Sequence, residues 1–333
     1  MKNLTALFWL LLVGLFLLSP FPLAAQTQTP VVVGVAGLSG ALIHPFVARD
    51  GGLFQKYGVD ARLVLFEGGS LLAQAALAGE VKFSITSGPV TIASRSAGAD
   101  TIAVAGYINT LPYNLVTAKE IASLEQLKGK KIAISRFGSN TDTAVRLLLE
   151  KVGLNPAKDV TIIQMGAQPS RFQALVAGTI EATIIAPPFD ITAKKQGFNI
   201  LVNLAELGIV YPQQVVETTD RFIRENPQVV KNFLKGFIAG IHYGLTNKEG
   251  TKKIMAKYLK ITDPEILEST YASYAQTTDR RAFPNMQGFR YGLDELARRV
   301  PAAKDKKAED FVNMRFLNEL EKEGFFKELY PKG

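Results

Sequence analysis

Two stretches of this chain repeat one another without a gap at an offset of 99 residues. Gln74-Ala75 falls on Gln173-Ala174, Ala78-Gly79 on Ala177-Gly178, Ile85 on Ile184, Pro89 on Pro188, Ile92 on Ile191 and Gly98 on Gly197. That makes eight identities over the 25 positions from Gln74 to Gly98, where composition alone gives roughly two. Val33-Gly34-Val35 also falls on Ile132-Ala133-Ile134. Each copy alternates short apolar runs with helical stretches, the pattern of an α/β fold. Strands are expected at 31–36, 61–66, 83–86 and 101–105 in the first copy, and at 131–135, 160–165, 182–185 and 200–203 in the second. Helices are expected between them, from Pro45, Leu71 and Pro89 in the first copy and from Thr141, Arg171 and Phe189 in the second. Units this long and this few do not make a solenoid. They predict two similar lobes facing each other.

The chain opens with Lys2, a dense apolar run from Leu4 to Leu18, and the helix breakers Pro20 and Pro22. Leu23-Ala24-Ala25 then supplies small residues before Gln26. This is the layout of a secretory signal peptide, with cleavage expected after Ala25. Its apolar core of about 15 residues is short of the roughly 20 that span a bilayer. From Asp220 onward the pattern is helical, with Pro227 at a helix start and Val230, Phe233, Leu234 and Phe237 at helical spacing. A connection and strand around 209–218 should carry the chain back to the first lobe. The expected organisation is a signal peptide at 1–25, lobe 1 from 26–113 and 217–333, and lobe 2 from 114–216.

Composition narrows the chemistry. The 333 residues contain no cysteine and only two histidines, His44 and His242. Thiol catalysis, cysteine-ligated metal and disulfides are therefore excluded, and so is a lipid tether on cysteine. Two histidines leave little for a histidine metal site or a triad. The formal charge of +8 suits an anionic partner without specifying one. The basic residues are scattered among acids, so no nucleic-acid partner is expected.

Ligands of open α/β sheets bind beyond the carboxyl ends of the strands, so the duplication names paired loops. These are 37–41 with 136–140, 67–70 with 166–170, and 86–89 with 185–188. Each places small or polar residues just before a helix, where unpaired N–H groups and the positive end of the helix dipole favour anions. The candidate ligand-binding residues are Gly37, Leu38, Ser39, His44, Gly69, Ser70, Ser87, Asn109, Arg136, Ser139, Asn140, Thr141, Pro187 and Phe189. Arg136, just past a strand, could pair with a carboxylate, sulfonate or phosphate, or be an ordinary surface arginine. His44 could donate to a ligand, or cap and pack locally. Phe189 and Tyr211 could wall the cleft. Arg171 could add charge at its helix start, or face solvent.

The order of short motifs carries a resemblance. Gly52-Leu53-Phe54 is followed by Lys56-Tyr57-Gly58-Val59-Asp60, then Gly69-Ser70 leads to Ala75-Ala76-Leu77-Ala78-Gly79. Later come Leu127-Lys128-Gly129-Lys130-Lys131-Ile132 and Ala174-Leu175-Val176-Ala177-Gly178. From about Val31 to Asn247 the chain resembles the nitrate/sulfonate/taurine-type solute-binding proteins of ABC importers, a group that includes thiamine-precursor-like binders. The resemblance implies a two-lobed type II periplasmic-binding-protein fold with a two-strand hinge, a central cleft and a helical C-terminal tail. It implies a receptor that closes on a small polar or anionic solute and docks on an inner-membrane ABC permease. No cofactor, metal or catalytic residue is expected, and the protein is expected to be a monomer in the periplasm.

Two other classes stay open. Enzymes share this architecture, but porphobilinogen deaminase attaches its cofactor through cysteine, which this chain lacks. A ligand-sensing partner of a membrane receptor would use the same lobe surfaces as an importer.

Overall fold

The computed structural model describes residues 28–298 and 300–331; the signal-peptide reading of residues 1–25 lies outside them. Runs rich in valine, isoleucine and phenylalanine open the described chain as strands β1 (Thr29–Val35), β2 (Val59–Leu65), β3 (Phe83–Thr86) and β4 (Thr101–Ile108). Branched and aromatic side chains fit a pleated, half-buried surface, and β3 and β4 are buried along their whole length. The chain then crosses into β5 (Asn114–Thr117), β6 (Lys131–Ile134), β7 (Thr161–Gln164), β8 (Ala182–Ile185) and β9 (Asn199–Asn203), and returns as β10 (Gln214–Thr219).

Two five-stranded sheets result, ordered β2-β1-β3-β10-β4 and β7-β6-β8-β5-β9. In the first, β1 runs parallel to β2 and β3, while β10 is antiparallel to β3 and β4. In the second, β6 runs parallel to β7 and β8, while β5 is antiparallel to β8 and β9. Each sheet is thus completed by one antiparallel strand that arrives through a crossover from the other. The expected two-lobed architecture is present, and the repeat holds in three dimensions. Shifted by 99, helix Gly69–Leu77 falls on helix Gln168–Val176, and β3 falls on β8.

Several element boundaries differ from expectation. The return strand starts at Gln214, so Gln214, Val215 and Val216 already pair with the first sheet, three residues before the expected boundary at 217. The helices expected from Leu71 and Arg171 begin earlier, at Gly69 and Gln168. Pro169 sits in the first turn of the latter, where its missing N–H has no partner to lose.

The C-terminal helices sheathe the first sheet. Helix Pro227–Thr246 buries Val230, Phe233, Leu234, Phe237, Ile238 and Ile241, and Phe233 stacks on Phe83 with ring centroids 3.8 Å apart. Gly240 lets the same helix pack closely on helix His44–Asp50, since a Cβ there would lie 2.4 Å from the Cβ of Ala48. Separate apolar cores form on the two sheets. Among the described residues, no helix is long and apolar enough to cross a membrane.

A buried acid sits in the first sheet. Glu217 on β10 is 1% exposed, and burial pushes its carboxyl up from 4.5 to about 7, the Ser84 and Thr91 hydroxyls offsetting only part of the shift. The folded chain therefore holds this proton more tightly than the unfolded one. The associated stability is fully present below pH 4.5 and is lost as pH rises through 7, a loss of about 3 kcal/mol. Glu217→Gln is expected to raise the thermal midpoint at pH 8 and leave it nearly unchanged at pH 4. An equal change at both pH values would contradict this.

Candidate functional site

Parallel strands end, and the following helices begin, on the sides of the sheets that face each other. Between them lies a cavity of about 40 Å³. The first lobe lines it with Ala36, Gly37 and Leu38 after β1, Gly68 and Gly69 at a helix start, Thr86 and Ser87 after β3, and Gln214 at the start of β10. The second lobe supplies Ser135, Ser139, Asn140 and Thr141 after β6, then Ala167, Gln168 and Arg171. Tyr113 comes from the crossover before β5.

Local sequence explains this lining. Ser87 and Ser139 stand in extended conformation at N-cap positions, yet neither side chain caps a backbone N–H of its helix. The Ser139 hydroxyl instead joins Ser135 Oγ at 2.8 Å and Thr141 Oγ1 at 3.0 Å, with Ser135 Oγ to Thr141 Oγ1 at 2.9 Å. Four helix N-termini converge here, at Gly69, Gly88, Asn140 and Gln168, and each brings the positive end of a helix dipole. Gly68 adopts φ +110°, and a Cβ there would lie 3.0 Å from Ser135 Oγ of the opposite lobe. The positive φ and the close approach both call for glycine.

Arg171 dominates the electrostatics. Its side chain is 1% exposed. Nη1 donates to Gly166 O at 2.6 Å, Nη2 to Ile184 O at 3.2 Å and Nε to Thr183 Oγ1 at 3.2 Å. All three acceptors are neutral, and Arg171 forms no ion pair among the described residues. Burial pulls its pKa down to about 10, with Tyr113 opposing the shift, so the guanidinium stays charged at neutral pH. Two of its five N–H groups remain beyond those three bonds. Tyr113 Oη accepts from Asn140 Nδ2 at 3.0 Å and Gln213 Nε2 at 2.8 Å, which leaves its own proton to donate. Burial raises the Tyr113 pKa, the Arg171 charge countering in part, so that proton stays in place. Thr86 Oγ1, Ser87 Oγ, Asn140 Oδ1 and Gln214 Oε1 are buried without a hydrogen-bond partner among the described residues. Buried polar atoms are rarely left so, and these four line the same cavity as Arg171.

The structure sorts the sequence candidates. Gly37, Leu38, Gly69, Ser87, Ser139, Asn140 and Thr141 line the cavity. Ser39 is buried at the start of the short helix Gly40–Leu42, outside the lining. His44 is a core residue: Nε2 lies 2.8 Å from Thr278 Oγ1, and its ring stacks on Tyr274 with centroids 4.4 Å apart. Asn109 belongs to the crossovers, where its carbonyl accepts from Tyr211 N at 3.0 Å. Tyr211 is likewise buried, outside the lining. Phe189 packs beside Phe172 in the second lobe.

The remaining candidates join the lobes rather than line the cavity. Arg136 is 38% exposed and reaches Glu67 across the mouth at 3.4 Å. Ser70 Oγ donates to Phe137 O at 3.2 Å, and Pro187 O accepts from Gly40 N at 3.0 Å. Lys195 adds Asp263 at 2.8 Å and Glu265 at 2.7 Å.

Thr86 and Gln168 lie in the loops named from the sequence without being singled out there, and Tyr113, Ser135 and Gln214 were missed. The repeat itself pointed to two overlooked features. Gln168 is the counterpart of Gly69, and Arg171 is the counterpart of Leu72, which is fully buried; a solvent-facing Arg171 was therefore inconsistent with the register.

A model of the family described as NMT1/THI5 like matches residues 42–250, more than half of the sequence, and the chain belongs to that family. A Bacillus subtilis relative, provisionally named an aliphatic sulfonates-binding protein, is 28% identical over 264 residues, covering 73% of this chain and 78% of its own. Among solved structures, one from Bordetella bronchiseptica matches with a TM-score of 0.79 at 21% identity, over 92% of this chain and 99% of that one. The alkanesulfonate-binding protein from Xanthomonas axonopodis pv. citri bound to MOPS matches with a TM-score of 0.71 at 19% identity, over 85% of this chain and 96% of that one. The fold is that of the periplasmic binding proteins.

The placement of His44 has a direct test. Burial drives its pKa down to about 3, the backbone at Ala41 opposing. Its imidazole resonances are expected to stay fixed between pH 8 and pH 5. An imidazole open to a wet cleft would titrate near 6.5, and that result would return His44 to the site.

Proposed function

We propose that this member of the NMT1/THI5-like family is an extracytoplasmic receptor that captures a small anionic solute between its lobes and delivers it to an ABC import permease. The observation that carries the reading is Arg171, a buried cation paired with no carboxylate among the described residues, facing a cavity ringed by helix N-termini and hydroxyls. A buried charge calls for a counter-charge or dense hydrogen bonding, and an anion between the lobes provides both. The names of the relatives support this class: one is named for aliphatic sulfonates and another was solved with a sulfonate-bearing buffer molecule. Relatives are named binding proteins rather than enzymes.

Closure is the second part of the proposal. The lobes are residues 28–113 with 214–331, and 114–213, joined by crossovers at 109–113 and 204–213. Separate cores let the lobes part without breaking either core, while the Glu67–Arg136 and Lys195–Asp263 pairs hold the mouth shut. Exposed pairs of this kind contribute roughly 0.2–1 kcal/mol each, so closure depends mainly on the solute. The contact residues are Gly37, Leu38, Gly69, Ser87, Ser139, Asn140 and Thr141 from the sequence reading, with Arg171 and Tyr113 added. Residues 1–25 direct export, cleavage follows Ala25, and the mature receptor works as a periplasmic monomer.

Calorimetry and small-angle scattering across a panel of small anions test this reading. One anion per monomer should bind, and the radius of gyration should fall on binding. Tight binding without compaction would overturn closure. Arg171→Gln should weaken binding by about 1.5–3 kcal/mol, the range for a charge-assisted contact; unchanged affinity would remove Arg171 from the site. Because the Arg171 pKa is lowered to about 10, affinity should hold from pH 6 to 9 and fall above pH 10.

A further inference from the structure

The polar groups of the cavity are of two kinds. Arg171 N–H, the Tyr113 hydroxyl proton and the Thr86 and Ser87 hydroxyls can all donate, and any anion satisfies them. Asn140 Oδ1 and Gln214 Oε1 can only accept, and both are buried without a partner among the described residues. The Asn140 amide is oriented by its own bond, since Nδ2 is spent on Tyr113 Oη at 3.0 Å. A simple anion, whose polar atoms are all acceptors, leaves both carbonyl oxygens unpaired and sets its own negative charge against them.

We propose that the solute carries an O–H or N–H donor beside its anionic group, and that Asn140 and Gln214 read that donor. The inference rests on the anion reading of the same cavity and narrows it. Asn140 comes from the second lobe and Gln214 from the first. The two acceptors meet only when the lobes close, so a solute with the donor completes closure and one without it leaves a buried mismatch. A site built to hydrogen-bond a hydroxyl discriminates strongly against the analogue that lacks it.

Matched pairs test this on the full mature chain. Titration calorimetry would compare ethanesulfonate with 2-hydroxyethanesulfonate, and acetate with glycolate. The hydroxylated member of at least one pair should bind tenfold or more tightly than its parent, and that ratio should drop toward one in Gln214→Leu and in Asn140→Leu. Equal affinities within both pairs would overturn the donor inference and leave the anion reading standing. A preference that survives both substitutions would also overturn it. Failure of all four anions to bind would overturn the anion reading itself, and this inference with it.

Discussion

A guanidinium held by two backbone carbonyls and a hydroxyl, and by no carboxylate among the described residues, sets the demands on everything around it. Carbonyl and hydroxyl oxygens orient Arg171 but do not neutralise it, and burial already lowers its pKa. The helix starts at Gly69, Gly88, Asn140 and Gln168 and the hydroxyl cluster of Ser135, Ser139 and Thr141 suit negative charge, while the carbonyl oxygens of Asn140 and Gln214 do not. Glu67, next to the cavity-lining Gly68, pairs with Arg136 and is not part of the lining.

The duplication supplies the stage for that charge. Two copies of one α/β unit, each completed by an antiparallel strand from a crossover, set two rows of strand ends face to face. Each sheet keeps its own apolar core, and the lobes meet through polar pairs such as Glu67–Arg136 and Lys195–Asp263 together with Ile191 and Tyr291, each of which packs against the facing lobe's core. The helical tail stiffens the first lobe, and helix Pro264–Thr277 touches the second lobe through its first residues, where Asp263 and Glu265 meet Lys195. The anion site is therefore asymmetric. The fixed positive charge belongs to the second lobe, and the first adds hydroxyls, backbone and the Gln214 amide.

Much of this was legible in the sequence, because strand alternation and a gapless repeat are local signals. The repeat register located the loops, and Ser87 with Ser139–Thr141 followed from their places before helices. What stayed hidden depends on contacts distant in sequence. His44 reads as a ligand candidate beside a proline, yet its partner is Thr278, 234 residues away. Arg136 reads as the cation of the site because it follows a strand; its exposure and its pairing with Glu67 arise only when the lobes meet. Arg171 was the reverse case. Its polar side chain left a charge at the helix start and a solvent-facing place equally open, whereas its counterpart Leu72 shows that the position points inward, and the repeat outweighs side-chain type there. Tyr113 lies on a crossover and Gln214 opens the return strand β10, two places where the repeat gives no register.

A crystal structure of the protein purified with its natural solute tests the central claim most directly. The account predicts a bound anion with an acceptor atom about 3 Å from the Arg171 guanidinium, enclosed by Ser87, Ser139 and Tyr113. A solute bound outside this cavity, or a neutral or cationic solute that leaves Arg171 bonded only to Gly166, Thr183 and Ile184, would contradict it.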